Sequence, residues 1–152
     1  MSEERLSKAA AITKGDATWK DWRAFLVGEA AAGRAELKGS DGWTLAEAAA
    51  HVTRWQDWAV ARIRGILAAE KAERLDIEGN NAAWAKADRG VAFEPALEKM
   101  DSAWSELRKA AVAVPHSKWR RLINAVFAAN TWEHYEEHLA WHPASGGERR
   151  AG

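Results

Sequence analysis

The chain has 152 residues, with 22 basic and 22 acidic side chains and no cysteine. This length suits one domain, and the balanced charge provides no overall field that would draw the protein onto nucleic acid or an anionic membrane. Without cysteine there is no disulfide framework and no thiolate ligand, so a metal site would have to use imidazole and carboxylate groups.

The sequence also lacks the usual signals of membrane and nucleic-acid-binding proteins. No apolar run approaches the ~20 residues that a membrane-spanning helix needs, and no apolar segment of signal-peptide length follows the N-terminus. Lys118, Arg120 and Arg121 surround Trp119, but in a neutral protein three basic residues at a helix start indicate a solvated edge. We therefore expect a cytoplasmic protein that binds a small molecule, with no membrane or nucleic-acid partner.

The distribution of proline predicts an all-α fold. Proline occurs only at positions 95, 115 and 143, and strand-like alternation of β-branched residues is absent. The long intervals between the prolines are therefore free to be helical. Ten tryptophans and many alanines suit such a fold, because small side chains let helices approach closely while tryptophan fills the larger gaps.

Two helices are predicted in the first half of the chain. Asp16 is a candidate N-cap for a helix over about 17–32. Thr44 and Glu47 have the spacing of a capping box, in which each side chain accepts a hydrogen bond from the other residue's backbone amide. This second helix is expected to run to about residue 69, because apolar residues recur at three- and four-residue steps.

Two more helices are predicted after a long connection. Residues 71–93 are polar and interrupted by glycine, although Asn81 could cap a short helical piece that runs through Lys86. A third helix is predicted over about 94–112, and a fourth from a Ser117 cap to residue 142. We expect residues 1–143 to form one domain and residues 144–152 to be a disordered tail.

The histidines point to a metal site. His134, His138 and His142 follow one another at four-residue steps, and the first two continue the apolar stripe of the fourth predicted helix. Two imidazoles at this spacing can share one ion at bonds of ~2.0–2.1 Å. His51 is the candidate third ligand because it lies at the edge of an apolar stripe, whereas His116 lies at a proline turn and His142 at a helix end.

These three ligands restrict the topology. His51 lies near the start of the second predicted helix, whereas His134 and His138 lie near the end of the fourth. The three histidines can lie at the same height along the bundle axis only if the two helices run antiparallel. An up-down-down-up four-helix bundle, with a long crossover between its second and third helices, has this arrangement. Residues 71–93 would supply that crossover, so histidine placement and loop length predict the same topology.

Two segments resemble a known family. Residues 42–55, GWTLAEAAAHVTRW, resemble the start of the second helix in the DinB/YfiT-like four-helix superfamily, including its histidine. Residues 130–141, NTWEHYEEHLAW, resemble the last helix of its DfsB/ClbS-like branch, and Asn81 falls where that branch often has an asparagine. The resemblance spans roughly residues 17–142 and implies a DinB-like bundle fold.

The resemblance also carries a functional expectation. It implies a divalent metal, commonly zinc or nickel, held by His51, His134 and His138. It further implies a thiol-dependent transferase or isomerase, or a role in detoxification or self-protection. Together with a metal that could activate water, this predicts a metal-dependent hydrolase or a thiol-dependent transferase that acts on an electrophilic small molecule. Three protein ligands would leave an open position for water or substrate.

Three further residues are candidates for the pocket. Asn130 lies one turn before His134 on the same helical face, and Glu137 could accept a hydrogen bond from a ligand histidine or line the pocket. Trp55 could form an aromatic wall together with Trp132. The alternative function is a non-catalytic bundle that binds a small molecule or forms a homodimer, with its histidine site empty.

Overall fold

The computed structural model describes residues 5–141, and the chain is all-helical over that range, as predicted. The helices pack around a shared core whose largest fully buried side chains include Trp22, Tyr135 and Phe127. His142, Pro143 and the predicted tail at 144–152 lie outside the described residues. The α-helices are α1 Lys8–Ala31, α2 Leu45–Leu67, α3 Ile77–Asp88, α4 Phe93–Ala113, α5 Arg121–Ala129 and α6 Trp132–Trp141, with a 3-10 turn at His116–Lys118.

Helix α1 begins earlier than the sequence predicts. Ser7 is its N-cap, and the Ser7 side chain accepts a hydrogen bond from the Ala10 amide. The assignment of Asp16 as N-cap was wrong, because the alanine-rich segment before it is already helical. The Asp16 carboxylate instead accepts two hydrogen bonds from Arg108 of α4, at 2.8 and 2.9 Å.

The capping box of α2 is confirmed. The Glu47 amide donates to Thr44 Oγ1 at 3.2 Å, and the Thr44 amide donates to Glu47 Oε1 at 3.0 Å. The second carboxylate oxygen of Glu47 accepts from the amide of Gly90, just after α3. One side chain therefore fixes both the start of α2 and the position of the connection that follows α3.

The connection between α2 and α4 contains a longer helix than the sequence predicts. Helix α3 begins at Ile77 rather than at Asn81, because Asp76 is its N-cap and accepts a hydrogen bond from the Gly79 amide at 3.0 Å. None of the residues of α3 is buried. The helix is held against α2 by polar and ring contacts, among them a bidentate ion pair between Arg54 and Asp88.

The fourth predicted helix is not continuous. Its N-cap is Arg120 rather than Ser117, which lies in the 3-10 turn. The helix breaks at Asn130 and Thr131, whose side chains donate to the carbonyls of Val126 and Phe127 at 2.8 and 2.7 Å. Side chains of this type compete with the helical backbone, and the break separates α5 from α6.

The order of the contacts along each pair of helices shows in which relative direction the two helices run. Arg23, late in α1, pairs with Asp101, early in α4, whereas the earlier Asp16 pairs with the later Arg108. Between α2 and α4, Ala50 and Ala96 line a common cleft near the start of both helices, and Arg64 and Glu106 approach within 3.8 Å further along.

Replacing Thr44 by Ala is expected to lower the free energy of unfolding by about 1 kcal/mol, because it leaves an amide at the start of α2 without its acceptor. Thr53→Ala is the matched control, since the Thr53 hydroxyl donates to the Ala49 carbonyl within the same helix. Urea denaturation followed by circular dichroism should show a loss for the first variant only. Equal losses would contradict the capping role.

Candidate metal centre

Three histidines from two helices converge on one point. His51 comes from α2, and His134 and His138 come from α6. One ring nitrogen from each can be chosen such that all three lie within 4.8 Å of one another. Nε2 of His134 lies 3.0 Å from Nε2 of His138, and the ring of His51 is centred about 5 Å from each of the other two. The structure therefore brings together the three histidines that the sequence singled out.

The local sequence explains how the rings meet. The four-residue step places His134 and His138 on one face of α6. The capping box fixes the start of α2, so His51 lies at its second turn. Behind the histidines the Gln56 amide donates to the Tyr135 hydroxyl at 2.9 Å, a fully buried contact that ties α2 to α6 next to the site.

The environment keeps two of the rings neutral. Burial, reinforced by the neighbouring His138, lowers the pKa of His51 from 6.5 to about 3, although Asp41 and Asp88 oppose the shift. Burial lowers the pKa of His134 well below 6.5, and the neighbouring His138 and His51 add to the effect. A metal ligand must be a neutral imidazole, so this environment favours the coordinating form over the cation.

Asp41 is a part of the site that the sequence analysis missed. Its Oδ2 lies 3.6 Å from Nδ1 of His138, and its Oδ1 accepts a hydrogen bond from the Trp43 amide at 2.9 Å. Burial raises the pKa of Asp41, but the interactions with His138 and with the Trp43 amide outweigh it and lower that pKa below 3.8. A carboxylate behind a histidine orients the ring and makes it a better ligand.

The donor set fits a divalent ion. Two Nε2 atoms 3.0 Å apart must share either a proton or a cation, since two neutral lone pairs repel. Nδ1 of His134 is buried and has no hydrogen-bond partner within residues 5–141, so the hydrogen-bonding capacity of that ring is only partly used. Imidazole-only ligation suits zinc, nickel, cobalt or iron.

A cavity of about 550 Å³ opens beside the three rings. Helices α2, α3, α5 and α6 and the residues just before α2 and α3 all contribute to its wall. The lining residues are Trp43, His51, Trp55, Trp58, Leu75, Ile77, Asn81, Leu122, Ala125, Val126, Ala129, Asn130, His134, Glu137 and His138. This volume is in the range of small-molecule binding sites.

The three pocket residues chosen from the sequence all line this cavity. The Trp55 indole donates to Asn81 Oδ1 at 2.8 Å, Asn130 is buried at the helix break, and Glu137 is exposed. Trp132 was wrongly assigned to the aromatic wall. It lies outside the lining, where its ring packs against Phe127 in the core.

Comparison of the chain with protein-family models, with curated proteins and with solved structures gives no match in any of the three. The resemblance to the DinB/YfiT-like superfamily therefore stays a prediction. Within residues 5–141, no helix is both long enough and apolar enough to cross a membrane.

Asp41→Asn is expected to weaken zinc binding about tenfold, because it removes the negative charge that faces His138 and orients its ring. Competition with a chromophoric chelator would measure the dissociation constant. Asp57→Asn is the matched control, since Asp57 lies on α2 but outside the cavity lining. Identical affinities in all three proteins would show that Asp41 has no part in the site.

The metal-free protein is expected to lose stability on acidification partly through His51. Between pH 6.5 and about 3, the unfolded chain binds a proton at His51 that the folded protein does not, so the free energy of unfolding falls as the pH is lowered. His51→Gln should lose about 1–2 kcal/mol less than the parent between pH 7 and 5. Urea denaturation in the presence of a chelator would test this, and parallel pH profiles would contradict it.

Proposed function

We propose that the protein is a metal-dependent enzyme in which His51, His134 and His138 hold a divalent ion, zinc or nickel, and that an electrophilic small molecule is its substrate. The observation that carries this proposal is the convergence of three imidazoles beside a small-molecule-sized cavity. Three protein ligands characterise catalytic rather than structural zinc sites, because they leave a coordination position open.

The chemistry would divide between the ion and the chain. A bound ion would supply Lewis acidity, which activates water for hydrolysis or a thiol for transfer. Asp41 would hold His138 in its ligating orientation from behind the site. Glu137, in the cavity wall, is the carboxylate available to accept a proton from a nucleophile, and the buried Asn130 amide could orient the substrate.

The helix contacts also support a topology. The two charged pairs between α1 and α4 run in opposite order along the two helices, as in an antiparallel pair. The contacts between α2 and α4 run in the same order along both, as in a parallel pair. Early α2 meets late α6 at His51 and His138, while Gln56, further along α2, meets the earlier Tyr135. We infer an up-down-down-up bundle in which α3 lies within the crossover, and membership of the DinB/YfiT-like superfamily.

A second candidate function is non-catalytic binding of a small molecule. The 3.0 Å contact between the Nε2 atoms of His134 and His138 favours it, because one ring can donate its proton to the other in place of sharing an ion. In that case the cavity would sequester its ligand against an aromatic wall that includes Trp55, and the histidines would be structural.

Metal analysis of protein purified without an affinity tag separates the two. The enzyme proposal expects about one ion per chain, and a loss to trace amounts in His134→Ala. His116→Ala is the matched control because His116 is exposed and outside the cluster, so its metal content should be unchanged. Trace metal in the parent, unaffected by either change or by added zinc, would support the binding protein.

A further inference from the structure

The charge of the cavity wall restricts what the cavity can bind. Apart from the histidines, Glu137 is the single ionisable side chain among the described residues that line it, and no lysine or arginine does so. An anionic group inside would lose hydration without gaining a cationic partner, and it would approach a carboxylate. The wall therefore disfavours carboxylates and phosphates at any position away from the metal ligands.

Three large apolar side chains of the cavity lining are exposed to solvent, and we take them to mark its mouth. Leu75, two residues before α3, is 40% exposed, Ile77, the first residue of α3, is 54% exposed, and Leu122 of α5 is 51% exposed. They come from two different segments and border the same opening. Burial of apolar surface contributes a favourable free energy of about 25 cal/mol for each Å² removed from water. An apolar ligand that extends to the mouth would therefore be stabilised along its whole length.

The polar groups of the wall are few. Asn81 Oδ1 is engaged by the Trp55 indole, and Nδ2 of Asn130 donates to the Val126 carbonyl. Of the polar side chains in the lining, the three histidines gather at one point. A ligand that fits this distribution has one polar end and an apolar remainder.

We propose that the cavity takes an uncharged, predominantly apolar small molecule whose single polar end lies at the histidines and whose apolar body extends towards Leu75, Ile77 and Leu122. This assignment of substrate class rests on the proposed function for the role of the polar end. The preference for an apolar body depends on the cavity wall alone, so it holds with or without a bound ion.

Two hydroxamic acids test this preference. Octanohydroxamic acid and suberic acid monohydroxamate share a metal-binding end and a chain length, but the second has a carboxylate at its far end. Displacement of Nile red, a neutral apolar dye, would be followed by fluorescence in zinc-loaded and in metal-free protein. We expect the first compound to compete about tenfold better, or more, in both forms, because the carboxylate of the second meets no cation.

The outcomes separate this proposal from the metal proposal. A preference for octanohydroxamic acid in both forms, with tighter binding in zinc-loaded protein, supports both. The same preference with no effect of zinc supports the proposed ligand class and contradicts the proposed metal centre. Equal competition by the two compounds, or no binding of Nile red, overturns the ligand class whether or not zinc binds.

A charge introduced at the mouth provides an independent check. Leu122→Lys should improve binding of the monohydroxamate relative to octanohydroxamic acid by about tenfold, because it supplies the cation that the wall lacks. Val112→Lys is the matched control, since Val112 is 47% exposed on α4 and lies outside the lining. An unchanged ratio in Leu122→Lys protein with a native circular dichroism spectrum overturns the placement of the apolar body.

Discussion

Two buried imidazole nitrogens, on His134 and His138, face each other at 3.0 Å, and both rings are more than nine-tenths buried. Placing them there has an energetic cost, because each ring loses its hydration and the pair cannot carry two positive charges. Something must lie between or beside the two nitrogens, either a shared proton or a cation that His51 helps to hold. The organisation of the surrounding helices is best understood as the support for this pair.

That support comes from local features at both ends of the site. The break at Asn130 and Thr131 gives α6 an axis of its own, so its two histidines need not follow the direction of α5. The turn before α2 places Asp41 behind His138, and the capping box fixes the helix that presents His51. Each feature is short in sequence, yet together they fix three side chains relative to one another.

The sequence predicted those parts of the molecule that depend on periodicity and on short-range hydrogen bonds. The all-helical fold follows from the proline distribution, the capping box from the spacing of Thr44 and Glu47, and the meeting of the three histidines from their places along the predicted helices. Helix starts at single polar residues were less reliable, since Ser7 and Asp76 rather than Asp16 and Asn81 proved to be the caps. Asp41 could not be predicted from the sequence, because its approach to His138 spans nearly a hundred residues of chain and depends on tertiary packing.

Helix α3 has no buried residue, although it forms part of the wall of the cavity. It is attached to α2 by the ring of Trp84 against Trp55, by the hydrogen bond from the Trp55 indole to Asn81 Oδ1, and by the pair of Asp88 with Arg54. Segments that bury no side chain open at a lower free energy than that of global unfolding. Displacement of α3 would uncover one wall of the cavity and would leave the hydrophobic interior and the imidazole cluster in place, because α3 contributes no side chain to either.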